Sequence, residues 1–246
     1  MKTQHSITPV LKIKDLKKSF GDNHVLNGFS MEMYEGENLV IMGKSGSGKS
    51  VMIKCLVGLL QPDSGFIEIE ENNLAVLEQQ ELNILRTEIG FLFQGSALYD
   101  SMTVRENLEF PLRKQDINAA KKNKLVTETL NSVGLLSAID LMPEELSGGM
   151  KRRVALARAL ILKPNIIIYD EPTTGLDPIT AKEIIELMKD IQLKYKTSSL
   201  IITHDIDCAR VISNRMILLI DGINYAEGTF NELQVAKDKK IQAFFK

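Results

Sequence analysis

Tryptophan is absent from the 246 residues, cysteine occurs only twice, and no apolar run approaches the ~18 residues that span a bilayer. Cys55 and Cys208 lie far apart and belong to no metal-ligand spacing. They are expected to be buried free thiols in a reducing compartment. The amino terminus, Met1 to Val10, has no apolar stretch of signal-peptide length. These absences lead to the expectation of a cytoplasmic protein, peripheral at most, with any membrane part supplied by other chains. An excess of one charge is also missing. Thirty basic residues face 32 acidic ones, for a net charge of -2 and a pI near 6.0, so nothing electrostatic points to nucleic acid. Local lysine clusters (Lys121, Lys122 and Lys124; Lys237, Lys239 and Lys240) read as solvated helix faces. There is no internal repeat, no low-complexity linker and no heptad run.

What is present is ordinary globular composition, 44% hydrophobic and 25% charged, in a chain long enough for one large or two small domains. Leu11 and Ile13 alternate with Lys12 and Lys14, as in a strand with one exposed face. Gly21-Asp22-Asn23 reads as a turn, and Leu26 to Met33 as a second strand. Leu39-Val40-Ile41-Met42 fits a buried strand. The helix expected from about Lys49 would turn Val51, Ile53, Leu56, Val57 and Leu60 inward, before Gln61 to Gly65 breaks it and Phe66 to Glu70 forms another strand. From Gln94 to Leu162 the pattern is mostly helical, with apolar positions at Leu125, Thr129, Leu130 and Val133, and at Val154, Leu156, Ala159 and Leu160. Strands resume at Ile166 to Tyr169 and Leu200 to Thr203, around a helix of about Thr180 to Tyr195, which predicts a βαβ unit and a parallel sheet. A hairpin closes the core at Arg215 to Ala226 about Asp221-Gly222, and a helical tail follows to Lys246. The expected layout is one α/β core, about 1–93 and 163–228, a helical subdomain at 94–162, and a tail at 229–246.

Five segments carry the chemistry. Gly43-Lys44-Ser45-Gly46-Ser47-Gly48-Lys49-Ser50 fits G-x-x-x-x-G-K-[ST] without a mismatch. Its glycines let successive N–H groups face a phosphate, Lys49 reaches the β- and γ-phosphates, and the Ser50 hydroxyl ligates Mg²⁺. Ile166 to Tyr169 is a strand that ends in Asp170, which faces the metal, and Glu171, which can deprotonate a water. Leu146-Ser147-Gly148-Gly149-Met150 starts a helix at an N-capping serine, followed by two glycines that a cap does not need. Gln94 follows Gly90-Phe91-Leu92-Phe93, and His204 follows the strand Leu200 to Thr203.

In this order the segments resemble the ATP-binding cassette (ABC) ATPases, over roughly Leu11 to Leu233. The resemblance implies an α/β P-loop core with an N-terminal antiparallel β subdomain and an inserted helical subdomain. It implies ATP and Mg²⁺ as ligands and a homodimer with two ATP sites, each built from both chains. Gly43 to Val51 would hold the nucleotide, with Phe20 stacking on adenine. Ser147, Gly148 and Gly149 would meet the γ-phosphate held by the opposite copy, with Asp177 at the interface. Ser50, Gln94 and Asp170 would serve the metal; Glu171, His204 and Gln94 would be catalytic. Three stretches further resemble the Mla/Mce-type phospholipid-transport ATPases: Gly149-Met150-Lys151-Arg152-Arg153, Pro172 to Thr180, and Ala97 to Arg113. That subclass implies a permease touching Ala97 to Leu112 and an MCE-domain lipid-binding protein in the same complex; the apolar Leu98, Tyr99, Met102, Val104 and Phe110 of that stretch would line a groove for a partner helix, pack the helical subdomain, or do both. The alternatives are a transport ATPase for another cargo, amino acid or lipoprotein, and a soluble ABC ATPase outside transport.

Overall fold

Alternation of apolar and charged residues builds the first strands. The computed structural model describes residues 8–245; the expectations for the first seven residues and for Lys246 lie outside them. In chain order the elements are β1 Leu11–Phe20, β2 Asn23–Met33, β3 Asn38–Met42, α1 Lys49–Leu56, β4 Ser64–Ile69, β5 Asn72–Asn73 and α2 Gln79–Leu85. Then come β6 Ile89–Leu92, α3 Val104–Glu109, α4 Ala119–Ser132, α5 Gly148–Leu160, β7 Ile166–Asp170 and α6 Pro178–Tyr195. The chain ends with β8 Ser198–Thr203, α7 Ile206–Ile212, β9 Arg215–Ile220, β10 Ile223–Gly228, α8 Phe230–Gln234 and α9 Lys239–Gln242. Two compact units result, one from residues up to Arg86 together with those from Ser198 onward, the other from Thr87–Thr197.

The first unit contains an antiparallel sheet in the order β2-β1-β4-β5. Leu11 and Ile13 of β1 are buried and Lys14 is exposed, as the alternation predicts; an irregularity at Asp15, with φ of +49°, then shifts the phase, so that Leu16 is buried and Lys17 exposed. β3 is buried at all five positions and pairs in parallel with β8 and β9, and β9 turns back into β10. The turn between them, Asp221-Gly222, has φ of +52° and +76°, the left-handed pair that a two-residue hairpin favours. Arg215 at the start of β9 bonds Glu37 through Nε at 2.7 Å and also pairs with Glu227. Burial opposes its charge, but the two carboxylates outweigh that and raise the guanidinium pKa.

The second unit contains the parallel pair β6–β7 and the helices α3 to α6. α5 buries Val154, Ala155, Leu156, Ala157 and Leu160, and α4 buries Val126, Thr129 and Leu130. Two expectations shift. Val126, not Leu125, is the buried position on α4. On α1 the buried face is Met52, Ile53, Cys55 and Leu56. The helix stops at Leu56 before a left-handed Gly58, so Val57 and Leu60 never join its stripe, and Val51 faces partly outward. α2 was not read from the sequence; a capping box between Glu78 and Glu81 starts it. Both cysteines are buried and neither forms a disulfide among the described residues; burial pushes the Cys55 thiol pKa up. No helix among the described residues is long and apolar enough to cross a membrane.

The packing of α5 on α6 has no spare volume at one point. A Cβ on Gly149 would lie 2.6 Å from Cγ2 of Thr180, and a β-branched residue in a helix has little freedom to turn away. Gly149→Ala is therefore expected to destabilise the protein by about 1–3 kcal/mol. In a Thr180→Ser background, which removes that methyl and keeps the hydroxyl, the loss should vanish or reverse, because alanine is the better helix former by about 1 kcal/mol. Urea unfolding of the four proteins checks this; the same penalty in both backgrounds would refute it.

Candidate functional site

Each unit carries part of the expected constellation. In the first, β3 delivers the chain into the loop Gly43 to Ser50, and α1 begins at Lys49. Gly46 and Gly48 have φ of +81° and +101°, a region that side chains rarely adopt. Gly48 has no room for a side chain either, since a Cβ would meet the Val25 carbonyl oxygen at 3.0 Å. Around Gly46 the corresponding space is open. The Lys49 ammonium folds back on the loop, donating to the carbonyls of Gly43 at 2.5 Å and Lys44 at 3.2 Å. No side chain caps the N-terminus of α1, and Ser47 Oγ is buried with no hydrogen-bond partner among the described residues. An uncapped helix start, an orphaned hydroxyl and an open glycine fit an anion in this loop.

Beside the loop lies a cavity of about 800 Å³ whose walls include Lys44 to Ser47, His24, Val25, Asp221, Lys240 and Phe244. That volume suits a nucleotide-sized ligand. Lys240 pairs with Asp221 at 2.9 Å, which raises the lysine pKa. Phe20 ends β1 with its ring half exposed and Lys18 Nζ 5.7 Å from the ring centre. His204 is exposed between β8 and the Asp205 cap of α7. Ser50 is exposed, and Val51 partly so, in the first turn of α1.

The second unit holds the rest. Asp170 ends β7, and Glu171 follows it at φ +50°, buried to 8% exposure. A non-glycine residue held in that left-handed region stores strain, and such strain clusters at functional sites. Thr174 Oγ1 donates to Glu171 Oε2 at 3.1 Å. Ser147 caps α5, accepting from Met150 N at 3.2 Å, and is exposed with Gly148. Gly149 has a reason inside the chain, its contact with Thr180, beside the one read from the sequence. Asp177 is exposed and caps α6, accepting from Ile179 N and Thr180 N at 3.1 and 3.0 Å. Hydrogen bonds from Thr180 hold its carboxyl below the usual carboxylate range. Gln94 is exposed just past β6.

The stretch after Gln94 is more ordered than its sequence suggests. Asn107, fully buried, accepts from Tyr99 N and donates to the carbonyls of Tyr99, Met102 and Thr103. The Arg158 guanidinium sits 5.4 Å from the Tyr99 ring centre and bonds Ser96 O at 3.3 Å. Tyr99 stacks on Phe110 at 4.5 Å and stays exposed. Of the residues expected to face a partner, Val104 is instead core, with no exposed area. The Thr103 cap starts α3 there and turns Val104 and Leu108 to the same buried face. Sequence reading also missed Asn107 and Arg158. An asparagine in the first turns of a helix, just past its capping box, was the available signal.

A family model described as ABC transporter matches residues 26–174. The methionine import ATP-binding protein MetN of Brucella abortus is 40% identical over 220 residues, covering 89% of this chain and 60% of its own. The chain thus spans about 60% of the length of these methionine-import relatives. The chloroplastic protein Trigalactosyldiacylglycerol 3 of Arabidopsis thaliana is 36% identical over 253 residues, covering 96% of this chain and 73% of its own. Among solved structures, the dimeric cassette MJ0796 in a post-hydrolysis state with ADP and Pi superposes with a TM-score of 0.80 at 34% identity, over 89% of this chain and 98% of that one. CbiO1 from Clostridium perfringens, part of the transporter complex CbiONQ, gives 0.86 at 29% identity, over 97% and 95%. The fold is accordingly the ABC ATPase fold, mixed α/β with an antiparallel β subdomain and a helical insert, and the chain belongs to the ABC transporter family.

Proposed function

We propose that this chain is the ATP-hydrolysing subunit of a membrane transporter, working as a homodimer with two composite ATP sites, at the cytoplasmic face of the membrane. One observation carries this reading: a phosphate loop open at Gly46 and an exposed, serine-capped glycine helix start lie in one chain. Dimeric MJ0796 cassettes support the same arrangement. The division expected from the sequence is retained as a proposal, one nucleotide-binding domain with its helical part at 94–162.

Within each site Lys49 and the loop amides from Gly43 to Val51 hold the phosphates, and Phe20 stacks on the base. Ser50, Asp170 and Gln94 hold Mg²⁺, which when bound neutralises phosphate charge. Glu171, its Oε2 fixed by Thr174, takes the proton of the attacking water; such a base contributes about 10²–10⁴-fold in rate. His204 contacts the γ-phosphate. Ser147, Gly148 and Gly149 close on the nucleotide of the other copy, and Asp177 lies beside that interface.

For the cargo, phospholipid is the first reading. Its supports are the stretch Gly149 to Arg153 and the relative named for the lipid trigalactosyldiacylglycerol, matched along 96% of this chain. Amino-acid import is the second reading, favoured by the relatives named for methionine import at 40% identity. In either case the permease contacts Ala97 to Leu112 through the exposed Tyr99 and the partly exposed Leu98, Met102 and Phe110. An MCE-domain protein belongs only to the first.

Two outcomes follow. Glu171→Gln should keep nucleotide binding, lose turnover and trap an ATP-bound dimer; size-exclusion chromatography with ATP and Mg²⁺ should show a shift from monomer to dimer, and a monomer at saturating ATP counts against the composite site. Met102→Asp should abolish co-purification of the permease from native membranes while the fold persists, since Asn107 holds only the backbone of residue 102 and a carboxylate in an apolar contact costs about 2 kcal/mol or more. Tyr99→Asp is less diagnostic, because Arg158 beneath it would pair with the new carboxylate. Recovery of phospholipid and an MCE-domain protein with the unaltered chain supports the first cargo; recovery of an amino-acid permease without them supports the second.

A further inference from the structure

Arg152 is the one arginine that the structure buries almost completely among the described residues, at 4% exposure. It lies on α5, one turn past the Gly148-Gly149 start. Its Nη1 donates to the Phe93 carbonyl at 2.8 Å and its Nη2 to the Thr174 carbonyl at 3.2 Å. Its Nε has no hydrogen-bond partner among the described residues. Burial works against the guanidinium charge, and the carboxylate of Asp170 works for it. Leaving a cation in such a place is unfavourable unless its donors are used.

The two carbonyls share one property. Neither belongs to a strand or a helix, and each sits beside a residue of the proposed hydrolytic site. Phe93 immediately precedes Gln94. Thr174 closes the turn that begins at Glu171, through its own N–H to Glu171 O at 3.3 Å and its hydroxyl to Glu171 Oε2 at 3.1 Å. Glu171 has the left-handed φ of +50°, so its backbone needs support from outside the residue. Arginine suits the task because its planar fork presents two separate donors in fixed directions; lysine offers a single point.

We propose that Arg152 is a positioning residue for ATP hydrolysis: by holding the Phe93 and Thr174 carbonyls from one helix, it sets the aim of Gln94 and of the Glu171 carboxylate together. The inference rests on the reading of this chain as an ATPase. Arg152 touches neither nucleotide nor water in it. The carboxylate is reached through Thr174 and the glutamine through the backbone of Phe93. The phosphate loop lies in other elements, so nucleotide affinity does not depend on Arg152.

The test uses the purified 246-residue chain, Arg152→Gln, Thr174→Val and the double variant. Hydrogen exchange read by mass spectrometry should quicken at residues 93–96 and 171–176 in Arg152→Gln and stay unchanged at 43–50. In ATP turnover, kcat should fall about ten-fold or more while KM and the affinity for a fluorescent ATP analogue stay within about two-fold. Thr174→Val should lower kcat in the same way, and the double variant should be no slower than the slower single one, because both act on one linkage. Exchange unchanged at both segments, kcat within about two-fold of the parent, or additive losses in the double variant would each overturn the proposal. If Arg152→Gln does not fold, Arg152→Lys, which reaches one carbonyl, should give a kcat several-fold below the parent with KM within about two-fold, and a parental kcat would overturn it. A parent chain with no turnover would remove the ATPase reading and this inference with it, whereas an active parent with an equally active Arg152→Gln would remove this inference alone.

Discussion

The second unit is organised around loop carbonyls that no strand or helix pairs, and α5 supplies their donors. Arg152 bonds Phe93 O and Thr174 O, Arg153 bonds Val133 O, and Arg158 bonds Ser96 O. Buried carbonyls without partners are costly, so irregular segments can be fixed inside a fold only where such donors exist. Here one thirteen-residue helix fixes the segment around Gln94, the turn after Glu171 and the end of α4 at once. The same helix opens with the Ser147 cap. A single element thus carries the glycine start at one end and, along its length, the donors that hold the segments around Gln94 and Glu171.

The first unit solves a different problem, how to hold bare backbone ready for an anion. The left-handed Gly48, pressed against the Val25 carbonyl, fixes the entry to α1, and the open Gly46 leaves the approach clear. The loop amides supply positive potential there, while the Lys49 ammonium, turned back on the Gly43 and Lys44 carbonyls, has to leave them to reach a phosphate. The proposed base, Glu171, belongs to the other unit.

Motifs whose glycines and charges have one chemical purpose were legible in the sequence. The loop from Gly43 to Ser50, the carboxylates at the end of β7 and the cap at Ser147 all stand where their patterns place them, and the buried run of β3 was clear from composition. Less legible was anything decided by a distant partner. Gly149 reads as room for a ligand, yet Thr180, thirty-one positions on by sequence number, already requires it to be small. Arg152 reads as a mark of subclass, and only the fold reveals which carbonyls it holds. Val104 looks available to a partner until the Thr103 cap fixes the phase of α3. On α1 the inward stripe was misjudged because the helix ends at Leu56, sooner than its apolar residues do.

The central claim is that two copies share each site, the phosphate loop from one and the glycine helix start from the other. Complementation tests it most directly. Lys49→Ala should lack turnover because it cannot hold the phosphates, and Ser147→Arg because a bulky cation stands where the opposite nucleotide must approach. Mixed together, they form heterodimers in which the intact loop of one copy meets the intact helix start of the other. The account predicts ATP hydrolysis by the mixture that neither variant shows alone, rising and falling with the mixing ratio. A mixture as inactive as its parts at every ratio would contradict it.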